Sequence, residues 1–401
     1  AHESTVADDV LDTLASLVDK SLVARDEHAG ATRYRLAETV RDYAREKLLE
    51  RDSSTTLRDR HLRHYLRLAE EARPNLQSAG QAAWLDRLEG DHDNLRGALE
   101  WCLGSGAALE GMRLCGDLQR FWIARGHHSE GRAWCERLLA ADSTSFATAE
   151  RAMALNCAGL LAYQQGDLAT ASMRFEERLA ICRALGDRRA IAISLNNLGM
   201  VALERGDVAS AGTFHEESLG IARELGNRNG IGRSLGNLGM IAHKRQDLGE
   251  ARRLFEESLV LMRELGDREG IGVALHCLGG VAMDAGDFTT ACRRYSECLA
   301  ILRELGHRLR IAYSLQGLAD VLAMVGPPER AAMLWGAAER LLEELGSRPT
   351  SSEAAEGTRI AVARGRASDG ESFDRAWAAG RMLSLQQALD IASDAATASG
   401  S

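Results

Sequence analysis

A spacing of forty residues constrains this chain more than any other feature. The pair Leu-Gly stands at Leu185/Gly186, Leu225/Gly226, Leu265/Gly266, Leu305/Gly306 and Leu345/Gly346. A second column holds Leu198/Gly199, Leu238/Gly239 and Leu278/Gly279, decaying to Leu318/Ala319. A third holds Gly166/Asp167, Gly206/Asp207, Gln246/Asp247 and Gly286/Asp287. Ala171, Ala211, Ala251, Ala291 and Ala331 follow, and then Phe175, His215, Phe255, Tyr295 and Trp335. One supersecondary unit is therefore stacked on copies of itself, because a unit this short cannot bury its apolar face alone.

Each unit reads as two helices. The first, such as 190–205, carries a small Gly199 that lets a neighbour approach. The second, such as 208–225, has Ala211, Leu219 and Ile221 at helical spacing, with Asp207 where an N-cap belongs and Gly226 where a left-handed cap belongs. In the last unit Pro327 and Pro328 replace Gly-Asp, which a first helical turn tolerates because it needs no N–H donors there. Composition agrees: aromatics are 5%, and 39 Gly stand beside only 4 Pro, which suits many glycine-capped helices and not a sandwich or barrel. The expected fold is all-α, a superhelix of 40-residue units with a small N-terminal winged-helix-like segment. Its parts are a partial winged helix over 1–52, linker helices and degenerate units over 53–146, and five clear units over 147–346. Capping helices over 347–392 and a disordered tail over 393–401 complete it. Gly126 marks the turn of one degenerate unit.

Charge and cysteine usage narrow the setting. Net charge is -9, so the duplex-wide basic footprint of a nucleic-acid binder is missing. Lys20, Lys47 and Lys244 are the only lysines, an Arg bias typical of a GC-rich, bacterial coding sequence. Eight scattered cysteines without CxxC spacing read as reduced, buried apolar residues. No apolar run reaches spanning length and no signal-peptide pattern opens the chain, so a cytoplasmic protein is expected. The first residue is Ala1 and not Met, which suggests part of a longer chain.

The repeat resembles the tetratricopeptide repeat: Leu-Gly in helix A, Gly-Asp in the turn, Ala and then an aromatic in helix B. Residues 9–50 break this pattern as helix, hairpin, helix. LVDKSLV and then RYRLAETVRDYAREKL resemble the winged-helix segment behind the nucleotide-binding domain of STAND-type signal-transduction ATPases, the large LuxR-type and AfsR-like bacterial regulators. WLDRLEGDHDNLRGALEWCL at 84–103 and FDRAWAAGRMLSLQQALDIA at 373–392 resemble their linker and closing segments. The resemblance implies a regulatory half that works with an upstream nucleotide-binding domain. The chain itself contains no G-x-x-x-x-G-K-[ST] phosphate loop and no LuxR-type helix-turn-helix behind the repeats.

No motif supports an enzyme, a cofactor or a metal. GIGRSLG at 230–236 has the wrong spacing and no preceding strand for a dinucleotide. His61/His64 read as a solvated helical face and His127/His128 as a surface turn. Cys292 and Cys298 do not share a face, and Glu216/Glu217 and Glu256/Glu257 recur as repeat surface. Arg33, Arg35, Arg41, Arg45 and Lys47 are bases near the wing, but Asp8, Asp9, Asp12 and Asp19 precede them and repel phosphates.

The candidate site is the concave wall lined by the A helices. Counted from the Leu-Gly column, the groove set is Asn156, Tyr163, Asn196, Met200, Arg233, Met240, His243, Lys244, His276, Tyr313, Gln316 and Asp320, with Leu160, Ile193, Leu203 and Met283 beside them. Amide, aromatic and Met side chains suit an extended peptide or small ligand, and Arg233, His243 and Lys244 make the centre basic. The expected partner is a protein or peptide, an acidic one fitting best, or a small anionic effector. The expected function is a non-catalytic sensor and interaction module of a STAND-type regulator. The alternatives are a self-standing scaffold adaptor and a DNA-binding transcription factor acting through the winged helix.

Overall fold

The computed structural model describes residues 2–28, 31–49, 54–76, 80–142, 146–345, 353–367 and 369–398. Helix α1 (His2–Asp19) runs into an antiparallel hairpin, β1 (Val23–His28) with β2 (Ala31–Leu36), and α2 (Glu38–Leu49) follows. Val23 pairs with Leu36 and Arg25 with Tyr34. These two strands are the only sheet among the described residues. Helices α3 (Ser54–Asn75), α4 (Gln81–Gly90) and α5 (His92–Ser105) lead to the array.

Six antiparallel pairs then alternate as A and B helices. They are α6 (Ala108–Arg125) with α7 (His128–Ala141), α8 (Ala149–Gln164) with α9 (Leu168–Leu185), and α10 (Arg188–Glu204) with α11 (Val208–Glu224). After them come α12 (Arg228–Lys244) with α13 (Leu248–Leu265), α14 (Arg268–Asp284) with α15 (Phe288–Leu305), and α16 (Arg308–Val325) with α17 (Pro328–Glu344). Helices α18 (Glu353–Arg366), α19 (Gly370–Arg381) and α20 (Leu385–Ala398) close the chain.

Local chemistry fixes the helix boundaries. The side chains of Asp167, Asp187, Asp207, Asn227, Asp247, Asp267 and Asp287 each accept the backbone N–H three residues on, so one capping device recurs every twenty residues. The A-to-B turns use left-handed glycines at Gly166, Gly206 and Gly286, while Gln246 adopts the same conformation at φ 62° with a side chain. Pro328 opens α17 as anticipated.

Two columns that look separate in the sequence form a single contact in space. A Cβ placed on Gly159, Gly199, Gly239 or Gly279 would come within 2.5, 2.5, 2.7 or 2.9 Å of the ring of Phe175, His215, Phe255 or Tyr295, respectively. The small residue of helix A is the seat for the ring of helix B. Ion pairs add a second regularity: Arg188 with Glu224, Arg228 with Glu264, Arg268 with Glu304 and Arg308 with Glu344 tie the start of each A helix to the end of its B helix. All are exposed, so each contributes only a few tenths of a kcal/mol.

The core continues into the closing helices, where Phe373, Ala388 and Leu389 join Trp335 and Leu342. Helix α19 crosses α17 at backbone distance, because a Cβ on Gly336 would meet Trp377 O at 2.3 Å and one on Gly380 would meet Met333 O at 2.1 Å. The expected disordered tail over 393–401 needs correction. Residues 393–398 belong to α20, as the Ala-rich sequence favours helix, and 399–401 lie outside the described residues. The Gly30 turn of the hairpin also lies outside them. No described helix is long and apolar enough to cross a membrane.

Candidate functional site: the inner wall of the repeats

Consecutive A helices approach one another more closely than consecutive B helices do, which makes the A face the concave one. The wall also winds back towards itself. The charge of Glu204 acts on Tyr313, and those of Glu269, Arg233 and Asp267 act on Arg120, three to four units away. These side chains therefore lie within electrostatic reach of one another on the concave side.

Much of the polar lining is committed to its own neighbours. Asn156 donates Nδ2–H to Gln119 Oε1 at 2.7 Å and accepts from Asn197 Nδ2 at 3.0 Å. Asn196 Oδ1 lies 2.9 Å from His215 Nδ1 and accepts from Asn237 Nδ2 at 3.3 Å, while its own Nδ2 donates to Ser234 Oγ. Tyr163 donates its hydroxyl to Glu204 at 3.4 Å, and burial pushes that phenol up. His276 Nδ1 sits 3.1 Å from Ser314 Oγ, with its ring edge-on to Tyr295. Burial, with Arg310 assisting, lowers the His276 imidazole to about 4. His243 Nε2 lies 2.8 Å from Asp284 Oδ2 and holds that carboxyl below its ordinary range.

Other members reach solvent to differing degrees. Arg233 and Lys244 are exposed, and Met200, Met240, Met283, Leu160, Tyr313 and Gln316 are half-buried. Ile193 is exposed, whereas Leu203 is buried in the wall. Asp320, placed by its column among the groove residues, is instead buried: its Oδ1 accepts from Trp335 Nε1 at 3.1 Å and its Oδ2 pairs with Arg359 of α18. The closing helices cover that end of the wall, which the repeat count alone does not reveal.

Arg120 is the residue sequence reasoning missed. It occupies the Met200/Met240 column of the degenerate unit. Burial lowers its guanidinium pKa, Glu269 and Asp267 oppose that shift, and Arg233 adds to it. Among the described residues, neither Arg120 nor Arg233 makes a hydrogen bond or a direct ion pair. A second basic feature lies between α3 and α6, where Arg60, Arg63, His64 and Arg67 of α3 and Arg113 of α6 line a cavity of about 550 Å³ with Glu70 as its one acid. His64, read as solvated surface, is exposed and lines that cavity, while the half-buried His61 ring packs at a tilt against Tyr65 at 4.7 Å. His127, read as a surface turn, is half-buried against Phe121 and His92. All eight cysteines are free, and seven of them are buried.

The tetratricopeptide repeat family matches residues 150–224, 190–264 and 270–344, and the winged helix-turn-helix domain family matches 3–49. This is a tetratricopeptide-repeat protein with an N-terminal winged-helix domain. Relatives named as HTH-type transcriptional regulators in Mycobacterium tuberculosis and Mycobacterium bovis are 36% identical over 192 residues, covering 45% of this chain and 21% of theirs. The matched part is thus about a fifth of the length of those relatives.

Solved structures share the fold of the repeat protein. The STAND protein with a tetratricopeptide repeat sensor from Pyrococcus horikoshii superposes with a TM-score of 0.51 at 13% identity, over 96% of this chain and 60% of that one. Aspartyl phosphate phosphatase F from Bacillus subtilis gives 0.54 at 12% identity, over 88% and 90%. A Rap protein complexed with competence and sporulation factor gives 0.52 at 12% identity, over 85% and 89%.

Proposed function

We propose that this chain is the non-catalytic sensor half of a STAND-type transcriptional regulator, with the repeat channel taking an acidic peptide or a small anionic effector. The observation that carries this reading is the pair Arg120 and Arg233. A desolvated guanidinium without a direct partner is unfavourable; Glu269 and Asp267 offset part of that cost from a distance, and the Arg233 guanidinium adds repulsion. An incoming carboxylate or phosphate relieves both. Lys244 extends the cationic strip, while Met200 and Met240 supply apolar surface that can remould around a bound chain. The polar ladders of Asn156, Asn196 and His276 hold the wall's shape and leave recognition to the open residues between them.

Binding shifts a closed-to-open balance in the longer protein only by as much as the ligand prefers one form, and the winged helix links the channel to an upstream nucleotide-binding domain. The relatives' regulator names and the STAND-sensor fold support this reading. A fluorescent polyglutamate peptide serves as the probe in anisotropy titrations. Binding is expected to disappear in Arg120→Glu/Arg233→Glu and to survive Glu217→Lys/Glu257→Lys on the outer helices. Loss in the outer pair with retention in the inner pair would move the functional surface to the convex face.

A further inference from the structure

Away from the channel, three elements bring potential metal donors together. Glu89 lies at the end of α4, His92 opens α5, and His127 caps the start of α7. One donor atom from each lies within 4.8 Å of the other two. His127 Nε2 stands 3.1 and 3.3 Å from the two carboxylate oxygens of Glu89, and the His92 and His127 ring centroids are 4.4 Å apart.

His92 is the decisive residue. It is only 7% exposed, yet its Nε2 is buried without a hydrogen-bond partner. Its two ring nitrogens look in different directions: Nδ1 lies 3.9 Å from Glu89 Oε1, and Nε2 lies 3.3 Å from Glu130 Oε1 without bonding to it. Glu130 is itself fixed, because Arg96 donates Nε–H and Nη2–H to its two oxygens at 2.7 Å each. A buried imidazole with no bond of its own, between one movable carboxylate and one locked carboxylate, is the arrangement of a metal-ligating histidine with its supporting shell.

We propose that Glu89, His92 and His127 form a zinc-class site, with His92 binding through the nitrogen that faces Glu89 and turning its other N–H to Glu130. Two imidazoles and a carboxylate suit zinc, which takes such donors at about 2 Å and leaves a fourth position for water. Calcium and magnesium prefer oxygen-only shells. Glu89 is exposed and His127 half-buried, so both can close the remaining distance by side-chain rotation. The bound ion staples the α4–α5 elbow to the α6–α7 turn, joining the linker helices to the first repeat.

The test uses untagged, chelator-treated full chain titrated with Zn²⁺ by calorimetry and with Co²⁺ by visible absorption. One ion per chain is expected, with a ligand-field spectrum free of thiolate charge transfer. His127→Ala and Glu89→Gln should each weaken binding by more than the roughly 10–100-fold typical of a lost supporting residue, and Glu130→Gln by about that amount. Circular dichroism in chelator confirms that the variants fold, and the half-buried His127 spares the core. Absence of saturable binding, a thiolate band reporting the buried Cys115, Cys135 and Cys157, or unchanged affinity in both His127→Ala and Glu89→Gln would overturn the proposal.

Discussion

The glycine of helix A separates two effects that usually travel together. Replacing a mid-helix Gly by Ala favours the helix by about 1 kcal/mol. At Gly220 nothing lies within 4 Å of the new Cβ, so Gly220→Ala is expected to gain most of that amount. At Gly239 the same methyl would sit 2.7, 2.8 and 3.0 Å from three ring carbons of Phe255, which is 1% exposed and has no room to retreat. Overpacking of this kind costs about 1–3 kcal/mol, enough to cancel the helix gain and leave a net loss of up to about 2. Urea unfolding followed by circular dichroism, with amide exchange in α12 and α13 as a local probe, compares the two variants. Gly239→Ala should unfold earlier than wild type, Gly220→Ala later, and Gly239→Ala/Phe255→Leu should recover part of the loss. Equal gains in both single variants would show that the Gly–ring contact does not hold the helices at this distance.

Two further outcomes follow from the repeats. Gln246 holds φ 62° where the equivalent turns have glycine, and the left-handed conformation costs a non-glycine residue about 1–2 kcal/mol, part of which glycine returns through unfolded-state entropy. Gln246→Gly should therefore raise the urea midpoint by an amount equivalent to about 0.5–1 kcal/mol; a lower midpoint refutes the strain argument. Burial lowers the His215 imidazole to about 4 against an ordinary 6.5. The unfolded chain thus binds more protons than the folded one between those values, and stability held above pH 6.5 is lost as pH falls towards 4, by at most about 3 kcal/mol for this residue. His215→Phe, which installs the ring found at Phe175 and Phe255, should flatten part of that slope, His276 supplying the rest. An unchanged pH profile in the variant would assign the loss elsewhere.

The repeat was legible because its determinants are local and recur. A capping Asp, a left-handed Gly and an apolar stripe each announce themselves within one unit, and the hairpin declares itself by alternation. The ion-pair rungs came from the structure: Arg at 188, 228, 268 and 308 and Glu at 224, 264, 304 and 344 also recur every forty residues, but the spacing alone does not pair the one column with the other. The channel chemistry was only half readable. Its positions follow from counting, but whether Asn196 faces a ligand or His215 depends on the residue thirty-eight positions on, Ser234, and on the neighbouring helix. Arg120 was hidden because it acts on residues three and four units away, and Glu89, His92 and His127 because three different elements supply them. Asp320 was misplaced because helices beyond the array fold back over it.

The crossing of α17 by α19 gives the array a fixed stop. Every junction between interior units offers the same kind of surface on both sides, so a unit can be duplicated or deleted there and the seams still match. The last seam has a different shape: Gly336 and Gly380 bring two backbones to a separation that no side chain permits. An extra unit placed behind α17 would face a terminator cut for that one surface. A repeat array with this terminator can therefore change length from within, keeping its closing helices as they are.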